Sequence, residues 1–217
     1  MADATKPDIL VFCDGGLEGG LKKMKEKANV HQASYRVLGE PANLLHQFPS
    51  ARAIWIVDAD IVQNRHRELS HQVVEYVKNR GGIVVLGGFF SSTVRPNDLD
   101  QYLGQAWGMP WRSGQYERTT VLLQDSHVGL DANTRARLAA SYSSKALFLK
   151  NVSSSDSLYA SPEGARSESM VFGPVPVEAQ TSVAFGKCGQ GWLGYTGDVN
   201  HEEGTAEAVL AMMGLLA

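Results

Sequence analysis

The sequence predicts an α/β domain built on a mostly parallel β-sheet, with antiparallel strands added at one edge. Short apolar runs bounded by turn residues alternate with helix-like segments in the amino-terminal part of the chain. Such alternation is typical of parallel sheets, because each crossover between parallel strands needs a connection as long as a helix. Later in the chain, short apolar runs are separated instead by Ser, Gly and Pro clusters, which indicates antiparallel strands.

The amino-terminal segments predict a βαβαβαβ unit. Its strands are predicted at residues 9–13, 34–38, 53–57 and 83–86. The best-defined helix begins near Asn64, carries Leu69, Val73 and Val77 four residues apart on one face, and ends at Gly81. Two shorter helices are predicted at residues 20–27 and 42–48.

The remainder of the chain predicts a second set of helices and strands. Helices are predicted at residues 96–107, 131–141 and 203–216. Strands are predicted at residues 119–123, 146–150, 157–160, 169–172, 182–185 and 192–195. We interpret residues 146–172 as an insertion that adds strands to the sheet edge, and we expect a single domain over residues 1–217.

The composition is that of an ordinary globular protein. The chain is 43% hydrophobic and 20% charged, and its net charge is −3, so it offers no overall attraction for nucleic acid or anionic lipid. No apolar stretch approaches the ~20 residues that cross a bilayer, and no signal-peptide pattern precedes Ile9. Cys13 and Cys188 are far apart and have no zinc-site spacing. We therefore expect a cytoplasmic protein with no nucleic-acid or membrane partner, no cofactor and no metal centre.

Polar or glycine-rich loops follow four of the predicted strands. These loops are residues 14–16, 58–60, 87–92 and 198–203. Ligands bind α/β sheets outside the carboxyl ends of the strands, where loops expose backbone donors and helix N-termini. We therefore expect the four loops to form one rim that carries the functional site.

Titratable side chains on this rim are candidates for acid–base chemistry. The catalytic candidates are Asp14 and Asp198 as general bases, with His201 assisting. Asp58 is a candidate for binding the ligand. Paired carboxylates also bind divalent cations, whereas Asp residues after strands equally cap helices and close turns, so these alternatives stay open.

Other rim residues are candidates for contact with the ligand. The backbone amides of Gly15, Gly16 and Gly88 can hold an oxyanion. The glycine run at residues 15–20 matches neither the dinucleotide-binding nor the P-loop pattern, and the turn at residues 87–92 lacks the G-x-S-x-G nucleophile elbow. The remaining ligand-binding candidates are Phe89, Ser91, Trp111 and Arg112.

Two segments carry a resemblance to a known family. The sequences RGGIVVLGG at residues 80–88 and GWLGYTGD at residues 191–198 resemble the glutamine-amidotransferase-like superfamily. Within it, the chain looks most like the ThuA-like, trehalose-utilisation branch, over residues 8–90 and 181–216. The resemblance implies a flavodoxin-like three-layer α/β/α sandwich, with the functional site at the turn after the strand predicted at residues 83–86.

The chain departs from the catalytic pattern of this superfamily. True amidotransferases place a nucleophilic Cys at that turn, where this chain has Gly87, Gly88 and Phe89. The His that ThuA-like proteins often have near the turn is also absent, although GDVNH at residues 197–201 matches a polar, His-containing loop after the last strand. The resemblance therefore implies a protein that is not a Cys-dependent glutaminase.

The leading hypothesis is that the protein binds a small polar molecule at this rim, with carbohydrate-like molecules as one class. A first alternative is a noncatalytic homodimer or interaction protein that uses the insertion at residues 146–172 together with Trp107 and Trp111. A second alternative is a divalent-metal-dependent hydrolase whose metal is held by Asp14 or Asp198.

Overall fold

The structure is a computed structural model, and it describes residues 6–15, 18–168 and 173–216. The strands are β1 (Asp8–Phe12), β2 (Asn29–Ala33), β3 (Ala53–Ile56), β4 (Ile83–Leu86), β5 (Arg112–Leu123), β6 (Ser141–Lys150), β7 (Ser157–Ala160), β8 (Thr181–Cys188) and β9 (Gly191–Thr196). The helices are α1 (Glu18–Lys27), α2 (Glu40–Gln47), α3 (Arg67–Arg80), α4 (Phe90–Thr93), α5 (Pro96–Gln101), α6 (Ala132–Arg135) and α7 (Glu203–Met212). A π-helical segment, Tyr102–Trp107, continues α5.

The strands of the described residues form one nine-stranded sheet with two distinct regions. Its order is β2-β1-β3-β4-β9-β8-β6-β5-β7, and the pairings from β2 through β9 are parallel. From β9 onward the pairings are antiparallel. Strand β7 also pairs with β8, so β8, β6, β5 and β7 close into a four-stranded antiparallel barrel.

The predicted fold class is wrong, because the molecule is not a flavodoxin-like sandwich with a mostly parallel sheet. Among the described strands, four pairings are parallel and five are antiparallel. The antiparallel strands also form a closed barrel rather than an excursion at an open edge. Closure has a physical advantage, since it gives partners to N–H and C=O groups that an open edge would leave unpaired.

Several predicted elements differ from those observed. The second strand is Asn29–Ala33 rather than residues 34–38. It was missed because β2 is a half-exposed edge strand, and its polar sequence lacks the apolar run that marks a buried strand. The helix predicted at residues 131–141 is the short α6, and β5 is much longer than the strand predicted at residues 119–123. The strand predicted at residues 169–172 lies outside the described residues.

The helix predicted around Leu69, Val73 and Val77 is confirmed as α3, and all three side chains are buried. Gly81 follows it in the left-handed conformation, with φ of 75°, and its amide donates to carbonyls of the last turn. The positive φ explains why glycine stands at this position.

Two apolar layers cover the parallel strands. On one face, Phe12 and Ile56 pack in a cluster that includes side chains of α2 and α3. On the other face, Val11, Trp55 and Val85 pack in a cluster that includes side chains of α1 and α7. The arrangement places side chains of α1 and the start of α7 together at the carboxyl ends of the parallel strands, where a cavity lies.

None of the helices in the described part of the chain is both long enough and apolar enough to traverse a membrane.

Candidate functional site

A cavity of about 350 Å³ opens between the carboxyl ends of β3, β4 and β9 and the helices α1 and α7. Three of the predicted site residues line it, namely Gly88, Asp198 and His201. The structure also places Trp55 and Thr196 in its wall. The cavity is large enough for a small ligand, since such sites begin at roughly 300 Å³.

Two polar groups in the cavity wall lack a hydrogen-bond partner among the described residues. They are the buried indole Nε1 of Trp55, a residue that is 5% exposed, and the buried hydroxyl of Thr196, a residue that is 0% exposed. Buried polar groups in folded proteins are almost always hydrogen-bonded, and leaving one unpaired costs about 1–3 kcal/mol. A bound ligand or an ordered water would therefore supply the hydrogen-bond partners that these two groups lack.

Gly87 allows these two groups to approach each other. A Cβ on Gly87 would lie 2.3 Å from the Thr196 Oγ1 and 3.4 Å from the Trp55 Nε1. The first distance is too short for any side chain, so residue 87 must be glycine in this arrangement. Both polar atoms consequently lie beside Gly87, the residue that precedes the cavity-lining Gly88.

The turn after β4 carries no nucleophilic side chain next to the cavity. Gly88 has a φ of 69°, a conformation that favours glycine, and Phe89 and α4 follow it. The turn thus occupies the place of a strand-to-helix elbow but presents backbone to the cavity.

Asp198 is buried in the cavity wall and holds the loop that leads into α7. Its Oδ1 accepts a hydrogen bond from the Asn200 amide at 2.8 Å, and its Oδ2 accepts one from the Glu202 amide at 2.7 Å. Hydrogen bonds to a carboxylate are stronger than those between neutral groups. The side chain therefore fixes the start of α7 relative to β9.

His201 lies on the rim of the same cavity, beside Phe89. Its backbone is in the left-handed region, with φ of 58°, which is uncommon for a residue that is not glycine. The imidazole packs edge-to-face on the Phe89 ring, with ring centroids 4.9 Å apart. The loop held by Asp198 thus presents the imidazole at the cavity mouth.

Ion pairs engage the other acidic side chains around the cavity. Arg118 donates to the Glu202 carboxylate at 2.7 Å, and the two side chains are 28% and 29% exposed. Lys23 contacts the Glu203 carboxylate at 2.8 Å on the surface. Glu202 and Glu203 at the start of α7 therefore each have a cationic partner.

Asp14 and Asp58 form a separate group at the ends of β1 and β3. The Asp14 amide donates to the Asp58 carboxylate at 2.7 Å, and the Asp14 carboxylate accepts from the Ser34 hydroxyl and the Tyr35 amide at 2.7 and 2.9 Å. Arg36 lies 3.4 Å from the same carboxylate. Burial is the main cause that raises the pKa of the Asp58 carboxyl.

The expected single rim is therefore divided. Asp14 borders a second cavity, of about 480 Å³, which Tyr35, Arg36 and Asp60 also line. Asp58 is tied to Asp14 through the Asp14 amide, whereas Asp198 and His201 line the first cavity.

The other predicted ligand-binding residues lie elsewhere or are engaged in packing. The Ser91 hydroxyl donates to the Thr196 carbonyl at 2.7 Å. Trp111 is fully buried in the core, and the Arg112 guanidinium donates to the carbonyls of Met109 and Trp111. Gly15 is exposed with φ of 119°, and Gly16 lies outside the described residues.

Sequence reasoning missed Trp55 and Thr196. Each lies within an apolar strand, and such residues are indistinguishable from core residues in the sequence. The signal that was present is chemical, because a buried Trp normally finds a partner for its N–H and Thr196 ends a strand just before Gly197 and Asp198.

The thiols of Cys13 and Cys188 are both buried. Burial raises the pKa of the Cys13 and Cys188 thiols, which disfavours the nucleophilic thiolate. Within residues 6–15, 18–168 and 173–216, no three or more His, Cys, Asp or Glu side chains are grouped as metal ligands.

Comparison with known proteins gives similarities of fold. No protein-family model matches the sequence, and no curated protein matches it. The structure is similar to that of a putative GMP synthase component from Thermoplasma acidophilum, with 12% identity and a TM-score of 0.53, over 97% of this chain and 94% of that one. It is also similar to the cytoplasmic protein STM1381 from Salmonella typhimurium LT2, with 11% identity and a TM-score of 0.55, over 96% of this chain and 99% of that one.

A third similarity is to part of a much larger protein. The β-galactosidase from Bacillus circulans sp. alkalophilus has 11% identity and a TM-score of 0.57, over 98% of this chain. This chain spans 31% of that protein's length. At these identities the similarities show the fold alone.

Proposed function

We propose that the protein binds a small polar molecule in the cavity between β3, β4, β9, α1 and α7. The observation that carries this proposal is the pair of orphaned buried groups, the Trp55 indole N–H and the Thr196 hydroxyl. A bound molecule that accepts their hydrogen bonds would remove the cost of leaving them unpaired. Carbohydrate-like molecules are one class to test, and placement in the ThuA-like branch stays a prediction from the sequence.

Binding is favoured over cysteine-dependent catalysis. The turn after β4 presents Gly87, Gly88 and Phe89, and the thiols of Cys13 and Cys188 are buried with raised pKa values. We assign Asp198 a positioning role, because both of its carboxylate oxygens already accept backbone amides. His201, at the mouth of the cavity, is the side chain best placed to contact the outer part of a ligand.

The test is a thermal-shift panel on the wild type and on a variant whose cavity is filled. Ala206 lines the cavity on α7, so Ala206→Phe would place an aromatic ring in the space that the ligand needs. Ala132→Phe, on the exposed helix α6, is the matched control. The panel holds sugars, sugar phosphates, amino acids, carboxylates and nucleotides.

One class of compound should raise the melting temperature of both the wild type and the control variant Ala132→Phe by several degrees, because a ligand at 100 times its Kd adds about 2.7 kcal/mol. The Ala206→Phe variant should show no such shift. A compound that stabilises the wild type and Ala206→Phe equally binds elsewhere, and that result would contradict the assignment of the site.

A further inference from the structure

The chemistry of the two unpaired groups restricts the classes of ligand that could bind in the cavity. An indole N–H can only donate a hydrogen bond, so the missing partner of Trp55 is an acceptor atom. The Thr196 hydroxyl is fully buried and can also donate a hydrogen bond. Both atoms lie within 3.4 Å of the position that a Gly87 Cβ would take, so the two donors flank the same part of the backbone.

The acidic residues at the cavity already have partners of their own. Asp198 accepts two backbone amides, Glu202 pairs with Arg118, and Glu203 pairs with Lys23. These contacts reduce the repulsion that an incoming anion would meet. They also engage each of the three carboxylates that could otherwise hold a cationic ligand.

The start of α7, where the Asp198 carboxylate already accepts the Glu202 amide, borders the cavity. Glu203, Thr205 and Ala206, in the first turn of this ten-residue helix, line the cavity. The Glu202 side chain makes no capping hydrogen bond to that turn. The first amides of a helix have no acceptor within the helix, and the helix dipole places partial positive charge at this end.

The remaining walls of the cavity are apolar. Met24 from α1 and Val209 and Leu210 from α7 line it, together with the Trp55 ring. Such walls favour burial of a short hydrocarbon or aromatic group, at roughly 25 cal/mol for each Å² of apolar surface.

We propose that the ligand is a small monocarboxylate with a short apolar group, whose carboxylate accepts hydrogen bonds from Trp55 and Thr196. This inference rests on the proposed function and names the class of molecule that the same cavity takes. The apolar group would lie against Met24, Val209 and Leu210.

Four probes that share one carbon skeleton and differ only in the terminal polar group test whether the cavity prefers a carboxylate. The probes are 4-methylpentanoate, 4-methylpentanamide, 4-methylpentan-1-ol and 4-methylpentylammonium, each titrated into the wild type at fixed pH and ionic strength by calorimetry. We expect the carboxylate to bind at least ~10-fold more tightly than the amide or the alcohol, since hydrogen bonds to a charged acceptor are about twice as strong. Equal or tighter binding of the ammonium or the alcohol would overturn the proposal.

Removal of the Thr196 hydroxyl tests its proposed hydrogen bond to the ligand carboxylate. Thr196→Val keeps the shape of the side chain, and we expect it to weaken binding of 4-methylpentanoate by ~10-fold or more. Thr120→Val, at an exposed hydroxyl on β5 that donates to Glu168, is the matched control and should bind as the wild type does. Trp55→Phe should weaken carboxylate binding as well, which keeps the test decisive if Thr196→Val fails to fold. Undiminished affinity in a folded Thr196→Val or Trp55→Phe variant would contradict the assignment.

The outcomes separate this inference from the proposed function. If a neutral sugar binds the wild type but not Ala206→Phe, and no carboxylate binds, the cavity is a ligand site but the monocarboxylate assignment is wrong. If no compound of either panel binds the wild type, both the function and the ligand class are wrong.

Discussion

At the scale of single residues, the site depends on a glycine that makes room for two donors. Gly87 lets the Thr196 hydroxyl and the Trp55 indole occupy a space that any side chain at residue 87 would block. The first donor ends β9 and the second lies within β3, so two strands supply the polar groups and the intervening strand β4 ends beside them. The glycine is therefore required by tertiary contact and not by a turn.

A substitution at Gly87 should show this requirement. We expect Gly87→Ala to lower the free energy of unfolding by about 1–3 kcal/mol, because its Cβ would lie 2.3 Å from the Thr196 Oγ1. The double variant Gly87→Ala/Thr196→Ala should recover part of that loss, since it removes the clashing atom. Gly173→Ala is the control, because a Cβ there meets nothing within 4 Å. Urea unfolding of these variants, of Thr196→Ala and of the wild type measures the coupling, and purely additive losses would count against the clash.

Part of the site was predictable from residue type and position. Asp198, His201 and Gly88 follow strands, and the rule that ligands bind at the carboxyl ends of strands identified all three as rim residues. That rule does not say towards which face of the sheet each loop turns. It therefore could not predict that Asp14 and Asp198 line two different cavities. Trp55 and Thr196 could not be identified as site residues from the sequence, because a side chain's lack of a hydrogen-bond partner depends on its neighbours in the folded structure.

At the scale of elements, the parallel strands were largely predictable and the barrel was not. Strands β1, β3 and β4 are buried on both faces, so each appears in the sequence as a continuous apolar run. Strand β5 mixes polar and apolar residues over a length of 12, and it pairs with both of the strands that follow it, β6 and β7. Closure between β7 and β8 is a long-range pairing that no local pattern specifies.

A buried amide links the barrel strands. The Gln180 Oε1 accepts from the Gln115 amide at 2.8 Å, and its Nε2 donates to Gln115 Oε1 and to Glu178 Oε2 at 3.2 and 2.7 Å. Gln180 is 5% exposed and lies just before β8, so these bonds join β5 to the start of that strand.

Loss of this amide should open the barrel locally. We expect Gln180→Leu to lower the free energy of unfolding by about 1–3 kcal/mol, because the partly buried backbone amide of Gln115 would lose its acceptor. The substitution should accelerate backbone amide hydrogen exchange more in β5 than in α3, because α3 packs on the parallel region of the sheet. Gln101→Leu, at an exposed site on α5, should leave both unchanged. Equal acceleration in β5 and α3 would indicate that the amide does not act on the barrel specifically.

At the scale of the whole molecule, one buried histidine couples folding to pH. His127 is 4% exposed, its Nε2 lies 3.1 Å from the Phe185 carbonyl, and its Nδ1 has no partner among the described residues. Burial lowers the pKa of His127, and Arg135 lowers it further, whereas the Phe185 carbonyl and Asp156 oppose the shift. A folded-state pKa below the unfolded value means that the unfolded chain takes up the proton first as the pH falls.

Stability should therefore decrease on acidification, beginning near the ordinary histidine pKa of ~6.5 and levelling off below the lowered folded-state pKa. The matched variant is His127→Gln, which keeps a donor for the Phe185 carbonyl but does not titrate. The difference in unfolding free energy between the wild type and this variant, measured by urea unfolding from pH 7.5 to pH 5, isolates the histidine from His66 and the carboxylates. We expect the wild type to lose stability relative to His127→Gln over this range. A difference that stays constant with pH would show that His127 is protonated equally in the folded and unfolded states, which would contradict the lowered folded-state pKa.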